Sequence, residues 1–268
     1  MTHPRLHALA DPARPAVLMS DGSGHLTYGE LEDRANRGAQ LLRSLGIRQG
    51  ETIAYWLPNC PEVFEVYWAG QRAGLYITPI ATGLTASEAD YIIENSGSRL
   101  LVVSPEIGGL AELPARADVT VLTLSQWREA LAAQPARPIA DEAPGFHMVY
   151  SSGTTGRPKG IRLPLPQGEV TASHMLAELS ASAYGTGPQT IYLSPAPLYH
   201  TAPLAYTTSC HRLGGTVVVM PKFDPEAALA AIERFKVTPR RWCRRCSCAC
   251  SSYRPKSARA MIFPRSRW

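Results

Sequence analysis

The sequence lacks any long apolar run, and cysteine is rare outside its last thirty residues. No stretch of the 268 residues approaches the roughly 18 consecutive apolar residues of a membrane-spanning helix. The amino terminus has no apolar run either, which excludes a signal peptide. Only Cys60 and Cys210 lie among residues 1–238, too few for a disulfide framework. These absences predict a cytoplasmic protein without a transmembrane segment.

Acidic residues, and also leucine, valine and glycine, are missing from residues 239–268. This tail holds eight Arg, one Lys and four Cys, whereas the whole chain has 27 basic and 22 acidic side chains. The net charge of +5 therefore combines −4 for residues 1–238 with +9 for the tail. An evenly spread positive charge would favour a nucleic-acid partner. Because the charge is confined to the tail, we expect no nucleic-acid partner for the body of the chain.

Residues 1–238 alternate between strand-like and helix-like segments. Capping boxes are predicted at Thr27 with Glu30 and at Thr85 with Glu88. Strands are predicted near residues 52–57, 75–80, 100–103, 119–124, 146–150, 190–193 and 216–220. Helices are predicted near residues 31–46, 61–74, 86–97, 168–183 and 225–235, and a short helix is predicted after residue 125. Further helix caps are predicted at Asn59 or Cys60, at Ser125 and at Asp224. The alternation predicts an α/β fold of largely parallel sheets flanked by helices.

The loop within Tyr150–Gly160 has the composition of a polyphosphate-binding segment. Its hydroxyl donors are Ser151, Ser152, Thr154 and Thr155. Gly153 and Gly156 allow the backbone to approach an anion closely, and Lys159 supplies a positive charge. A Walker A loop is excluded, because two residues separate Gly156 from Lys159 and no hydroxyl residue follows that lysine. The alternative interpretation is a flexible surface turn.

Several segments together resemble the adenylate-forming, AMP-binding superfamily, which includes acyl-CoA synthetases, luciferases and adenylation domains. The segment 150–160 resembles the phosphate-loop signature of that family. Other similar segments, in the same order, are 26–36, 72–79 and 197–203. The resemblance spans about residues 3–238 and is nearer to fatty-acyl and related CoA ligases than to peptide-synthetase domains. It implies an incomplete N-terminal part of the adenylate-forming fold.

The resemblance implies a reaction and assigns residues to it. A carboxylic acid attacks the α-phosphorus of ATP, giving an acyl-adenylate and pyrophosphate, and coenzyme A then displaces AMP. The residues that would bind the ATP phosphates with Mg²⁺ are Ser151, Ser152, Gly153, Thr154, Thr155, Gly156 and Lys159. Tyr199 and His200 would line the carboxylate pocket, with His200 as the candidate catalytic residue. The alternative for His200 is a histidine packed in a proline-bounded loop. No metal ligand is assigned from the side chains.

The resemblance ends near residue 238. The family's adenine motif, ribose-binding aspartate, hinge and C-terminal domain with its catalytic lysine would all lie downstream, and none has a match in this sequence. We therefore predict a truncated AMP-binding domain over residues 1–238. The full ligase reaction is not expected of this chain, and a non-catalytic fragment with a residual phosphate loop is the alternative.

The composition of the tail is typical of a shifted reading frame. Codons for Cys and Tyr begin with T. A one-base shift would make that T the middle base of a codon, and codons with T in the middle encode apolar residues. Shifted in this way, residues 243–254 can decode as V-P-T-M-F-V-R-M-L-K-L-P, which resembles the family. We therefore predict a frameshift near residues 238–242 and a disordered tail. The alternatives are a zinc site at the four clustered cysteines and a basic nucleic-acid-binding arm.

Overall fold

A computed structural model describes residues 1–151 and 158–238. The predicted frameshifted tail and six residues of the predicted phosphate loop lie outside the described residues. The helices are α1 (Pro4–Ala10), α2 (Tyr28–Ser44), α3 (Glu62–Arg72), α4 (Ala86–Ser96), α5 (Leu124–Ala132), α6 (Met175–Tyr184), α7 (Thr201–Arg212) and α8 (Pro225–Phe235). The strands are β1 (Pro15–Met19), β2 (His25–Thr27), β3 (Thr52–Trp56), β4 (Tyr76–Pro79), β5 (Ser98–Val103), β6 (Thr120–Thr123), β7 (Phe146–His147), β8 (Val149–Ser151), β9 (Lys159–Ile161), β10 (Ile191–Ser194) and β11 (Thr216–Val219).

The strands form two main sheets and one hairpin. The five-stranded sheet has the order β6-β5-β3-β4-β7, and all its ladders are parallel. The four-stranded sheet has the order β10-β11-β1-β2, with only β2 antiparallel. Strands β8 and β9 form a separate antiparallel hairpin. The predicted α/β fold with largely parallel sheets is confirmed.

The five-stranded sheet is covered by helices on both faces, which explains its continuous apolar strands. Successive side chains of a strand point to opposite faces. In β3, Ile53 and Tyr55 join the central core, which also contains apolar residues of α2 and α3. Ala54 and Trp56 pack on the other face with Ile92 of α4. All five residues of β3 are buried as a result.

The same central core reaches the four-stranded sheet. Val217 and Val219 of β11 belong to this core, whereas Val218 points to a third cluster with Leu229 of α8. The layers are therefore helix, sheet, helix, sheet and helix, with α2 and α3 contributing to the middle layer. This arrangement brings strands of the two sheets close enough to build a site between their ends.

The capping predictions are mostly confirmed. Both capping boxes form, with Thr27 and Thr85 accepting hydrogen bonds from backbone N–H groups three residues later. Asp224 caps α8 as predicted. The prediction of Ser125 as the cap of α5 is wrong, because Thr123 occupies that position and completes a capping box. Ser125 lies inside the first turn instead.

The predicted start of α3 is also wrong. Pro61 occupies the cap position, and no side chain caps this helix. Neither Asn59 nor Cys60 therefore serves as the cap. The amide of Asn59 bonds to other parts of the chain, described below with the site.

The predicted single strand over residues 146–150 is divided in two. Residues Phe146 and His147 pair in parallel with β4, and the Met148 N–H donates to the carbonyl of Ile77 at 2.9 Å. Val149 then begins the separate hairpin. The chain leaves the five-stranded sheet at this point, just before the predicted phosphate loop.

Five of the elements named above were not predicted from the sequence: α1, β1, β2, β9 and α7. Helix α6 begins at Met175, several residues later than predicted. Within residues 1–151 and 158–238, no helix is long and apolar enough to cross a lipid bilayer.

Candidate functional site

The β8–β9 hairpin brings the two ends of the predicted phosphate loop together. Ser151, the last residue of β8, pairs with Lys159, the first residue of β9. Both side chains are exposed. Directly opposed residues in an antiparallel pair have Cβ atoms about 5 Å apart, so a hydroxyl and an ammonium group flank the same loop. Such a pair offers an anion one neutral and one charged donor.

Glycine at position 160 allows the returning strand to lie against an aromatic ring. A Cβ atom at Gly160 would lie 2.5 Å from Cε of Met148 and 2.9 Å from Cζ of Tyr150. These separations are too short for any larger residue without movement. A larger residue at position 160 would therefore have to displace the ends of the Met148 and Tyr150 side chains, so glycine favours the close contact between the two strands.

Two tyrosines hold the hairpin against α4. The Tyr150 hydroxyl donates to Oδ1 of Asn95 at 2.7 Å, and the Tyr91 hydroxyl donates to the carbonyl of Pro158 at 3.3 Å. Burial raises the pKa of Tyr150 to about 12, so its hydroxyl stays protonated and remains a donor at neutral pH. Both ends of the loop are thus hydrogen-bonded to α4, one through Tyr150 of β8 and the other through Pro158, just before β9.

The segment after the hairpin is fixed to the five-stranded sheet. The Arg162 guanidinium lies 4.1 Å from the centre of the Tyr76 ring and donates to the carbonyl of Gly50 at 2.7 Å. The Tyr76 hydroxyl in turn donates to the carbonyl of Leu163 at 2.7 Å. Cation–π contact and hydrogen bonding therefore anchor the chain shortly after Lys159.

Tyr199 and His200 lie together immediately before α7. Their ring centres are 4.7 Å apart, and the rings are tilted by 59°. His200 is exposed and occupies the cap position of α7, although its side chain forms no capping hydrogen bond. Its backbone N–H donates to the carbonyl of Pro197 at 3.2 Å. The imidazole is therefore presented outward at the start of a helix, where a carboxylate could approach it.

Asn59 fixes the segment that carries this pair, a role that the sequence analysis missed. Its amide donates to the carbonyl of Ala196 at 3.2 Å and to that of Met220 at 2.8 Å. Its carbonyl oxygen accepts from the Leu198 N–H at 2.8 Å. These bonds join the segments that follow β3, β10 and β11. The carboxyl ends of β3, from the five-stranded sheet, and of β10 and β11, from the four-stranded sheet, thus meet at the segment that carries His200. α/β folds place their ligands at such strand ends.

The structure therefore brings the described candidate residues together as two pairs. Ser151 and Lys159 are cross-strand partners, and Tyr199 and His200 are ring neighbours. The remaining predicted phosphate-binding residues lie outside the described residues, namely Ser152, Gly153, Thr154, Thr155 and Gly156.

This chain is similar in sequence to curated acid–CoA ligases. Feruloyl-CoA synthase from an Amycolatopsis species is 31% identical over 224 residues, covering 83% of this chain and 44% of the relative. Long-chain-fatty-acid–CoA ligase FadD13 of Mycobacterium tuberculosis is 30% identical over 236 residues, covering 82% of this chain and 43% of the relative. The chain thus spans less than half the length of these curated relatives.

Solved structures agree with the sequence comparison. The inhibitor-bound N-terminal domain of FACL13 from Mycobacterium tuberculosis superimposes with a TM-score of 0.75 at 27% identity, covering 88% of this chain and 62% of that domain. ATP-bound MatB from Rhodopseudomonas palustris gives a TM-score of 0.70 at 27% identity, covering 87% of this chain and 48% of MatB. The family model described as AMP-binding enzyme matches residues 5–239. The chain belongs to this AMP-binding family of adenylate-forming enzymes.

Proposed function

We propose that this chain carries the phosphate-binding and carboxylate-binding parts of an AMP-forming acid–CoA ligase. The observation that carries the proposal is the pairing of Ser151 with Lys159 across the hairpin. It places a hydroxyl and an ammonium group on either side of a loop rich in glycine, serine and threonine. The family match and the ligase activities named for the relatives support the same function.

In the proposed reaction, a carboxylate oxygen attacks the α-phosphorus of ATP while the bond to the β-phosphate breaks. Pyrophosphate leaves, and the sulfur of coenzyme A later attacks the acyl carbonyl, releasing AMP. Lys159 and the loop hydroxyls would hold the negative charge of the leaving phosphates. Such charge neutralisation and positioning dominate catalysis at phosphorus. When bound, Mg²⁺ would supply further neutralisation of the phosphate charge.

The acid would lie on the other side of the reacting phosphorus, near Tyr199 and His200. The exposed imidazole of His200 can donate a hydrogen bond to a carboxylate oxygen. The named relatives act on ferulate and on long-chain fatty acids. We propose a carboxylic acid as substrate, with fatty acids as the first candidates because the sequence motifs are nearest to fatty-acyl ligases.

Phosphate binding is tested by calorimetric titration of Mg·ATP into the 268-residue chain. Replacing Lys159 with Ala should weaken binding about tenfold or more, because a hydrogen bond to a charged group contributes about 1.5–3 kcal/mol. Lys222→Ala is the matched control, since Lys222 is also exposed but lies near β11 and outside the hairpin. Equal affinities of the two variants, or no binding by the unmodified chain, would overturn the proposal.

We further propose that this chain does not complete the ligase reaction. It matches less than half the length of the two relatives described above. Pyrophosphate release that depends on ATP and a fatty acid is therefore expected to be at background level. Sustained release by the purified 268-residue chain would contradict this.

A frameshift near residues 238–242 remains our proposal for the tail. It is supported by the abrupt change in composition at residue 239, where the family match also ends. Sequencing the gene across these codons tests it. A single-base insertion or deletion that restores a long family-like frame is expected. If no such change restores one, the tail belongs to the natural sequence and the zinc and nucleic-acid interpretations return.

A further inference from the structure

The segment that carries Tyr199 and His200 has little regular structure of its own. Strand β10 ends at Ser194 and α7 begins at Thr201. Pro195 and Pro197 lie between them, and Pro203 lies in the first turn of α7. None of the three has a backbone N–H that could have fixed the chain. Besides the bond from the His200 N–H to the carbonyl of Pro197, side chains from elsewhere in the chain hold this segment in place.

Those side chains come from β3 and the residues that follow it. Asn59 accepts from the Leu198 N–H at 2.8 Å, and the Tyr55 hydroxyl donates to the Leu198 carbonyl at 3.1 Å. The backbone N–H and carbonyl of Leu198, one residue before Tyr199, are thus bonded to the loop after β3 and to β3 itself. Tyr55 is fully buried, and burial raises its pKa well above the ordinary value, so its hydroxyl remains a donor.

Asn59 also ties this segment to the four-stranded sheet. Its amide nitrogen donates to the carbonyls of Ala196 and Met220, at 3.2 and 2.8 Å. Met220 directly follows β11. One side chain therefore uses its acceptor and both of its donors to connect three segments that are far apart in sequence. Among residues of this size, only asparagine supplies one acceptor and two donors in this geometry.

We propose that Asn59, assisted by Tyr55, is the positioning residue for the carboxylate-binding pair Tyr199 and His200. This inference rests on the proposed function, because it takes that pair to contact the acid. Asn59 itself acts through the Leu198 backbone and does not touch the substrate. Without it, the segment before α7 would sample several conformations, and the acid would bind a site that is correctly formed only part of the time.

Three variants test the role of Asn59. Asn59→Ala removes all three of its hydrogen bonds, Asn59→Asp keeps the acceptor for Leu198 but loses both donors, and Tyr55→Phe removes the bond to the Leu198 carbonyl. Gln40→Ala is the matched control, because the Gln40 amide donates to two loop carbonyls, those of Arg137 and Pro138, away from the site. Urea unfolding of each variant measures its effect on overall stability.

Two readouts report on the segment. Amide hydrogen exchange over residues 196–201 should become at least about tenfold faster in Asn59→Ala, since each lost bond contributes about 1 kcal/mol, and intermediate in Asn59→Asp. Gln40→Ala should accelerate exchange only near residues 137–138. Binding of ferulate or dodecanoate can be followed by NMR through the His200 ring protons. Binding should be weakest in Asn59→Ala, intermediate in Asn59→Asp and tightest in the unmodified chain.

The outcomes distinguish the two proposals. If the unmodified chain binds either acid with a shift at His200, but Asn59→Ala binds it as tightly as Gln40→Ala does, the positioning role is refuted and the proposed function stands. If the unmodified chain binds neither acid, the proposed carboxylate site fails, and the positioning role fails with it. If Asn59→Ala does not fold, Asn59→Asp and Tyr55→Phe decide by the same criteria.

Discussion

His211 is a buried, neutral histidine that uses both of its ring nitrogens. Trp68 Nε1 donates to its Nδ1 at 3.3 Å, so Nε2 carries the proton and donates to the carbonyl of Ala16 at 3.1 Å. Burial lowers the pKa of His211 to about 3. Burial likewise lowers the pKa values of His147 and His174 to about 4. A proton on any of these rings is therefore strongly disfavoured in the folded chain.

These lowered pKa values predict a loss of stability in mild acid. The ordinary pKa is 6.5, so below that pH the unfolded chain binds protons that the folded chain does not. The contribution of these histidines to the free energy of unfolding is therefore fully present above about pH 6.5 and decreases as the pH falls below that value. His147 alone should contribute a loss of about 2 kcal/mol between about pH 7 and pH 5.

Urea unfolding at those two pH values measures this effect. His147→Phe should lose less stability on acidification than the unmodified chain, whereas His25→Phe, at an exposed position, should behave like the unmodified chain. Identical pH dependence of the two variants would show that burial of His147 does not control its protonation.

The role of Asn59 could not have been predicted from local sequence. Its partners Ala196, Leu198 and Met220 lie 137 to 161 residues away in the chain. A helix-capping asparagine before a proline is the expected local interpretation. The structure contradicts the helix-cap interpretation, because the folded chain brings the ends of three strands together around Asn59. Tertiary contacts of this kind leave no periodic signal in the sequence.

At the level of elements, the hairpin and α4 behave as one unit around the predicted phosphate loop. Tyr150 connects β8 to α4 through Asn95, and Tyr91 of α4 reaches Pro158 just before β9. Tyr150 also packs against the apolar cluster on that face of the five-stranded sheet. The loop ends are therefore held by both hydrogen bonds and apolar contact.

Removing one of these bonds should weaken nucleotide binding without unfolding the chain. Tyr150→Phe loses the bond to Asn95, and we expect about threefold weaker Mg·ATP binding with a stability loss of about 1 kcal/mol. Calorimetry and urea unfolding measure the two effects. Tyr28→Phe is the control, because the Tyr28 hydroxyl donates to two carbonyls far from the hairpin, those of His211 and Gly215. If the two variants bind Mg·ATP equally, Tyr150 does not support the loop.

Elements with local signals were predicted, and elements held by distant contacts were missed. Helices α2 and α4 carry complete capping boxes, which act within four residues. Helix α7 has no side-chain cap, and its threonines are poor helix formers. Thr207 and Thr208 donate to carbonyls one turn back, and both are buried. This helix is stabilised by packing against its surroundings, which its own sequence does not reveal.

The whole molecule explains why only part of the site could be inferred. The predicted phosphate loop is a compact motif, so its candidate residues could all be proposed from the sequence. The proposed carboxylate side depends on the ends of β3, β10 and β11, which come from both sheets. The parallel pairing of β1 with β11 joins residues about 200 positions apart. Only the folded chain shows that these ends meet beside His200.

We propose above that the loop between β8 and β9 binds the phosphates of ATP. Hydrogen exchange of the 268-residue chain, measured with and without Mg·ATP, tests it most directly. Bound nucleotide should slow exchange across residues 149–161, while α8, on the far face of the four-stranded sheet, should exchange at an unchanged rate. Unchanged exchange across residues 149–161 at saturating Mg·ATP, or protection confined to other segments, would contradict the claim.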